Sequence, residues 1–123
     1  MAVGTLAAVA LGGAAGALLR HVIAIWIGRP AGLPWAILLV NLSGALALGI
    51  LATLFAERFE LSAAVRIGLT VGLLGGYTTF STLSVDSLNL IDDGRWGWAL
   101  ANLLVSGAGG LGAAWLGQQL ARW

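Results

Sequence analysis

The stretch Gly75-Gly76-Tyr77-Thr78-Thr79-Phe80 interrupts a long apolar segment, and it decides how that part of the chain folds. Two adjacent glycines and two adjacent β-branched threonines all weaken a helix. The apolar residues on both sides are nevertheless numerous enough to cross a membrane, which takes roughly 20 residues. The sequence therefore predicts a helix over residues 62–91 that is broken near residues 75–79, midway through the membrane.

The composition around this stretch indicates a membrane protein. Hydrophobic residues make up 59% of the 123 residues and charged residues only 9%, so a water-soluble domain would lack polar residues for its surface. Glycine, proline and charged residues divide the chain into four apolar segments, at about residues 3–27, 34–56, 62–91 and 96–120. We expect an all-α integral membrane protein with four transmembrane helices and one transmembrane domain over residues 1–123.

Arginines near the predicted helix ends bear on orientation. One face receives Arg58, Arg66 and Arg122, and the other receives Arg29, Arg95 and, if its side chain extends to the surface, Arg20. Orientation follows an excess of basic residues on one face, so this balance predicts insertion either way up, which permits an antiparallel dual-topology dimer. The alternative is that lipid composition or insertion order selects one orientation. The arginines form no patch that would bind nucleic acid, and we expect no such partner.

The sequence has few of the residues that enzyme active sites use, and they are not arranged in catalytic patterns. The five acidic residues lie mostly at predicted helix ends, His21 is alone, and there are no cysteines. No nucleophile–base pair or metal-ligand spacing results. We predict that the protein is not an enzyme.

The broken helix is instead a candidate ion site. Backbone carbonyls freed inside a membrane are costly unless protein, water or an ion satisfies them, and broken helices often turn such carbonyls toward a cation. The alternative is a kink that serine and threonine hydroxyls satisfy locally. Asn41 and the pair Asn102 and Ser106, spaced i, i+4, add polar groups that predict a donor-lined path or, alternatively, hydrogen bonds between helices.

Two further features concern the first helix. Arg20 lies seven residues before the end of the first apolar segment at Ile27, so it either extends to the surface or attracts anions. Glycines at four-residue spacing predict helices that approach closely. They are Gly12 with Gly16, and Gly68, Gly72 and Gly76.

Three segments together resemble the CrcB/Fluc family of fluoride channels: residues 72–82, 13–20 and 40–44. The resemblance covers essentially the whole chain and implies an antiparallel homodimer with two fluoride pores. It also implies a structural sodium ion at the dimer centre, held by the backbone carbonyls of Gly75 and Thr78. By motif position, it places Asn41, Phe80 and Arg20 on the ion pathway. Such a channel would passively export fluoride across a prokaryotic inner membrane as a multi-pass protein, and so lower fluoride toxicity.

Fluoride is small and strongly hydrated, so a pore for it must replace water with hydrogen-bond donors and the positive edges of aromatic rings. The residues that offer these groups are Asn41, Phe80, Ser81, Thr82, Asn102 and Ser106. A passive pore lets the membrane potential expel fluoride that entered as the neutral acid. We also expect substitution at Gly75 to be more damaging than substitution at Gly12.

Leu83 departs from the family pattern, which usually has a second phenylalanine at this position. Either one ring per subunit suffices, or the chain is one subunit of a heterodimeric channel. A small proton-coupled multidrug exporter is a more distant alternative, because it needs a carboxylate within the membrane and the first helix carries Arg20 instead.

Overall fold

The protein was described by a computed structural model that covers residues 2–123, and every regular element within that range is helical. The all-α prediction is therefore confirmed. The long helices are α1 (Val3–Ile27), α2 (Trp35–Glu57) and α5 (Trp96–Ala121), and each is long and apolar enough to cross a membrane. Between α2 and α5 lie α3, over residues 63–77, and α4 (Phe80–Asp92).

The break between α3 and α4 consists of Thr78 and Thr79, whose ψ angles of 154° and 119° are those of extended chain. The threonine hydroxyl at position 79 accepts a hydrogen bond from the Thr82 amide at 3.3 Å and so caps the start of α4. Gly75, in contrast, keeps helical angles, with φ −65° and ψ −37°. The break therefore lies at the late end of the predicted region, because both glycines remain helical and Gly76 packs against Gly13.

Helices α1 and α3 touch backbone to backbone through their glycines. A Cβ atom at Gly16 would lie 2.7 Å from the Tyr77 amide nitrogen, and one at Gly76 would lie 2.6 Å from the Gly13 carbonyl oxygen. Both distances are shorter than a Cβ atom tolerates, so only glycine fits at these positions. The predicted close approach of glycine-bearing helices is thus present in the structure.

A second close pair joins α2 to α5. A Cβ atom at Gly49 would overlap the Ala114 carbonyl oxygen, and one at Gly117 would lie 2.9 Å from the Ile50 amide nitrogen. The far ends of the same two helices are joined by Arg122, whose Nη2 donates to Glu57 Oε1 at 2.9 Å. The chain is thus built from two helix pairs, α1 with α3 and α2 with α5, and the polar break lies beside α2.

The expectation that substitution at Gly75 is more damaging than at Gly12 stays a prediction, but packing within the single chain favours the opposite order. A Cβ atom at Gly12 would lie 2.9 Å from the Leu73 amide nitrogen and overlap the Gly68 carbonyl oxygen, whereas one at Gly75 comes no closer than 3.9 Å to Thr70. Gly12 belongs to a series of glycines at four-residue spacing, and Gly75 does not. The structure agrees with the spacing, because Gly12 is the one that faces the neighbouring backbone.

We expect Gly12→Ala to destabilise the folded protein by about 1–3 kcal/mol, the usual cost of forcing an extra methyl group into a packed contact. Thermal unfolding in detergent measures the effect. The matched control is Gly112→Ala, because a Cβ atom at Gly112 meets nothing within 4 Å. Equal unfolding midpoints for the two variants would contradict backbone contact at Gly12.

Candidate functional site

Asn41 pairs with the backbone of the break in both directions. Its Nδ2 donates to the Thr79 carbonyl oxygen at 3.1 Å, and the Thr79 amide donates to its Oδ1 at 2.8 Å. A side-chain amide thus replaces the helical hydrogen bonds that the extended residue has lost. The second Nδ2 hydrogen is not used in this pair, so Asn41 retains one donor beside the break.

Arg20 is directed toward the break and not toward the membrane surface. Its Nε donates to the Gly76 carbonyl oxygen at 3.3 Å, and the side chain is half-buried. In a continuous helix that carbonyl would accept from the amide four residues later, which the break has moved away. A guanidinium at the C-terminal end of α3 also matches the negative end of the helix dipole.

Three further carbonyls at the end of α3 and in the break, those of Gly75, Tyr77 and Thr78, are left without donors within the described residues. The Thr79 amide, which would bond to Gly75 O in a continuous helix, is taken by Asn41. The Thr82 amide, which would bond to Thr78 O, is taken by the Thr79 hydroxyl. None of the three carbonyl oxygens receives a hydrogen bond from any of residues 2–123. Gly75 is also exposed on the face of the single chain, and Thr78 is half-buried.

A cleft of about 330 Å³, the central cleft, opens beside the break. Its lining includes Asn41, Thr70, Thr79, Leu83 and Ser106, with Phe80 at the edge. The Ser106 hydroxyl is buried and has no hydrogen-bond partner within the described residues. Two donors beside the central cleft are therefore not used by the described residues: the Ser106 hydroxyl, whose oxygen is covered in the single chain, and the second Nδ2 hydrogen of Asn41. None of its lining residues is acidic.

Two further clefts continue the central cleft along α2. The tryptophan cleft lies beside Trp35 and Trp98, and the arginine cleft lies beside Arg66. Nine α2 residues line the three clefts, and seven of them follow one another at steps of three or four: Trp35, Leu38, Asn41, Ala45, Leu48, Ala52 and Phe55. The other two, Gly44 and Ala56, are each next to a member of this series. Such steps keep residues on one helix face. Twenty residues at 1.5 Å each give about 30 Å, the thickness of the hydrocarbon core. We call the face of α2 that lines these three clefts the α2 groove.

Phe80, Ser81 and Thr82 form the first turn of α4, and they differ in exposure and in their contacts. Phe80 is 80% exposed, so its ring projects from the chain and is not packed within it. Ser81 is exposed and does not line the central cleft. Thr82 is half-buried, and its hydroxyl pairs with the Thr79 hydroxyl at 3.3 Å. In the single chain, only Phe80 of these three predicted residues borders the central cleft.

The predicted stripe of Asn102 and Ser106 divides between two clefts. Ser106 borders the central cleft, whereas Asn102 borders the tryptophan cleft. Asn102 is buried and its Nδ2 donates to the Ser87 hydroxyl at 3.0 Å, which in turn donates to the Leu83 carbonyl at 2.8 Å. Ser87 was not predicted, because nothing in its local sequence distinguishes it from other helical serines.

Asp86 is buried, with only 5% exposure. The sequence placed the acidic residues mostly at helix ends, where the side chains would be exposed. Its Oδ1 accepts from Arg29 Nη1 at 3.0 Å, and its Oδ2 has no partner in the part of the chain described. The pair ties the segment after α1 to the middle of α4. It also places a positive charge beside Asp86, which is the only acidic residue of α4 apart from Asp92 at its end.

Comparison with known proteins gives concordant matches over almost the whole chain. Residues 7–118 match the model of the family described as "CrcB-like protein, Camphor Resistance (CrcB)". The fluoride-specific ion channel FluC 2 of Symbiobacterium thermophilum is 48% identical, over 96% of this chain and 98% of the relative. The fluoride-specific ion channel FluC of Chloroflexus aurantiacus is 43% identical, over 94% of each chain. FluC 1 of Nitrobacter hamburgensis is 45% identical, over 94% of this chain and 93% of the relative.

Proposed function

This chain belongs to the CrcB-like family, and from that premise we propose that it is a fluoride-selective ion channel that passively exports fluoride from the cell. Its relatives are named fluoride-specific ion channels, and an ion channel is not an enzyme. The observation that carries the proposal is the central cleft, where Asn41 and Ser106 hold unused donors and no lining residue is acidic.

The chemistry of this cleft suits a small, strongly hydrated anion. A pore must replace the water of hydration with donors placed along the path, and amide and hydroxyl groups supply these. The positive edge of the Phe80 ring adds a further favourable contact. The absence of acidic residues from the cleft lining means that fluoride meets no fixed negative charge there. The membrane potential, negative inside, then drives the anion outward without coupling to protons.

We propose that α3 and α4 together make a fourth crossing and that two antiparallel copies of the chain form the channel. The α2 groove is open along its side in the single chain, and hydrocarbon lipid offers no polar group to an ion there. A second copy would cover the groove. Phe80, 80% exposed, would then place its ring in the partner's central cleft, and the balanced arginines permit the opposite orientation. We further propose a prokaryotic inner membrane as its location.

A structural sodium ion fits the residues at the end of α3. The carbonyl oxygens of Gly75 and Thr78 lack donors within residues 2–123, and hard cations prefer oxygen ligands. The described residues contain no group of three or more His, Cys, Asp or Glu side chains that could hold a metal. We therefore propose that these two carbonyls from each copy hold sodium at the dimer centre, where its charge would offset repulsion between anions in the two pores.

Purified protein reconstituted alone into liposomes loaded with potassium fluoride tests the proposal. We expect fluoride to leave, as measured with a fluoride electrode, once a potassium ionophore compensates the charge. We expect no chloride release under the same conditions and no need for a proton gradient. Transport of organic cations, or fluoride release only with a proton gradient, would instead indicate an exporter.

Two variations of this experiment separate the finer parts of the proposal. Replacing all sodium by a large organic cation should slow fluoride release and lower the unfolding temperature, and unchanged values would argue against a sodium site. Leu83 leaves open a heterodimeric channel, in which the single expressed chain would be silent. Fluoride release from this chain alone establishes that one ring per subunit is enough.

A further inference from the structure

Arg66 differs from the other five arginines in having no hydrogen-bond acceptor among residues 2–123. The other five guanidinium groups each donate to an acceptor elsewhere in the chain. The pairs are Arg20 with Gly76 O, Arg29 with Asp86, Arg58 with Trp123 O, Arg95 with Ala31 O, and Arg122 with Glu57. The fold uses these five guanidinium groups to join separate segments. It leaves the guanidinium of Arg66 free, and the residue is exposed.

Arg66 lines the arginine cleft, which adjoins the central cleft. Leu48 on α2 and Thr70 on α3 line both clefts, so the two spaces meet between these residues. Thr70 lies one turn after Arg66, and its hydroxyl is turned back to the Arg66 carbonyl at 2.8 Å. From Arg66 to Gly75 the helix advances nine residues, or about 13 Å. A free positive charge therefore stands at one end of the α2 groove, roughly half a hydrocarbon core from the break.

Neither of the two acidic residues on the same side of the chain forms an ion pair with Arg66 in the described structure. Glu57 is engaged by Arg122 through both carboxylate oxygens, and Glu60 does not line the arginine cleft. The remaining residues of that cleft are Leu48, Ala52, Phe55, Ala56, Ile67 and Thr70. The low polarity of these walls concentrates the field of the single guanidinium in the opening.

We propose that Arg66 is the mouth residue that draws fluoride into the α2 groove, a role that rests on the proposed channel function. It raises the local concentration of anions and is not itself a site of dehydration. An exposed charge of this kind acts over about 10 Å at 0.1 M salt and about 3 Å at 1 M salt. Its contribution to fluoride entry is therefore large at low salt and lost at high salt.

Because the chain has no cysteine, Arg66→Cys introduces a single thiol whose charge can be chosen chemically. The variant is modified in detergent with a methanethiosulfonate that carries either a trimethylammonium or a sulfonate group, and is then reconstituted. We expect fluoride release at low salt to be about two- to tenfold slower for the unmodified thiol than for arginine. The cationic reagent should restore it and the anionic reagent should slow it further, and in 1 M salt the differences should disappear.

The control is Arg58→Cys, which removes the same charge on the same side of the chain. Arg58 donates to the Trp123 carbonyl at 2.9 Å and lines none of the three clefts. Neither reagent should change its fluoride release. Restoration by the cationic reagent also shows that the Arg66→Cys protein is folded.

Three results would overturn the proposal. Wild-type fluoride release with equal rates for both modified forms of Arg66→Cys would leave the channel standing and remove Arg66 from its mouth. Failure of either reagent to react with the thiol, measured by mass before reconstitution, would show that the opening is closed to water in the assembled protein. Complete labelling with no fluoride release by wild-type protein would refute the channel function on which the role depends.

Discussion

Replacing Asn41 with leucine should abolish fluoride release and destabilise the protein more than any other single change on the polar side of α2. Leucine has a similar size but can neither accept from the Thr79 amide nor donate to the Thr79 carbonyl, both of which now pair with Asn41. Each buried backbone group left without a partner costs about 1–3 kcal/mol. The two together cost about 2–6 kcal/mol, and the central cleft also loses a donor.

Fluoride release from liposomes and thermal unfolding in detergent measure the two effects of Asn41→Leu. The loss of flux follows from the lost donor in the central cleft and the unpaired break, and the lowered unfolding temperature follows from the two unpaired backbone groups. Ser43→Ala is the matched control on the same helix. It removes two neutral hydrogen bonds of the Ser43 hydroxyl, one to the Val40 carbonyl at 3.1 Å and one with the Tyr77 hydroxyl at 3.0 Å, and leaves Thr79 untouched. Equal effects of both substitutions would mean that pairing with the break has no special importance.

The second large effect should come from Phe80→Ile. Isoleucine keeps an apolar side chain of branched shape but has no ring edge to offer to an anion. Because Phe80 is 80% exposed in the single chain, its loss removes little packing within the fold. We therefore expect fluoride release to fall about tenfold, equivalent to 1.4 kcal/mol, while the protein remains folded and dimeric.

Phe59→Ile controls for this substitution, because it makes the same chemical change at an exposed phenylalanine beyond the end of α2. Chemical cross-linking in membranes reports assembly, and the liposome assay reports flux. Wild-type flux in Phe80→Ile would take the ring out of the ion pathway. Loss of the dimer together with flux would instead assign Phe80 to the contact between copies.

Local sequence patterns were sufficient for the helices and for their glycine contacts. Long apolar segments ended by glycine, proline or charged residues predicted α1, α2 and α5, and glycines at four-residue spacing predicted backbone contact between helices. Weak helix propensity, however, did not distinguish Gly75, which faces no neighbouring backbone, from Gly76, which lies against Gly13. That distinction depends on how each helix is rotated about its axis, and rotation is set by packing.

The position of the break likewise depends partly on local sequence and partly on a tertiary contact. Weak helix formers at residues 75–79 predicted that the helix would be interrupted, yet Gly75 remains helical and the extended residues are Thr78 and Thr79. Asn41, 38 residues earlier in the sequence, stabilises the extended backbone at Thr79. A local propensity indicates where a helix is weak, and a partner from another helix determines which residue leaves it.

The sequence by itself determined an all-helical chain for a membrane, an interruption between α3 and α4, and a set of donors without a catalytic group. These follow from hydropathy, helix propensity and side-chain chemistry, which act over a few neighbouring residues. The tertiary structure alone decided the partners: Asn41 with Thr79, Arg20 with Gly76, and Asn102 with Ser87. It also left Ser106 and Arg66 without partners in the described chain. Such pairings join residues far apart in sequence, and only the packing of whole helices brings their atoms within hydrogen-bonding distance.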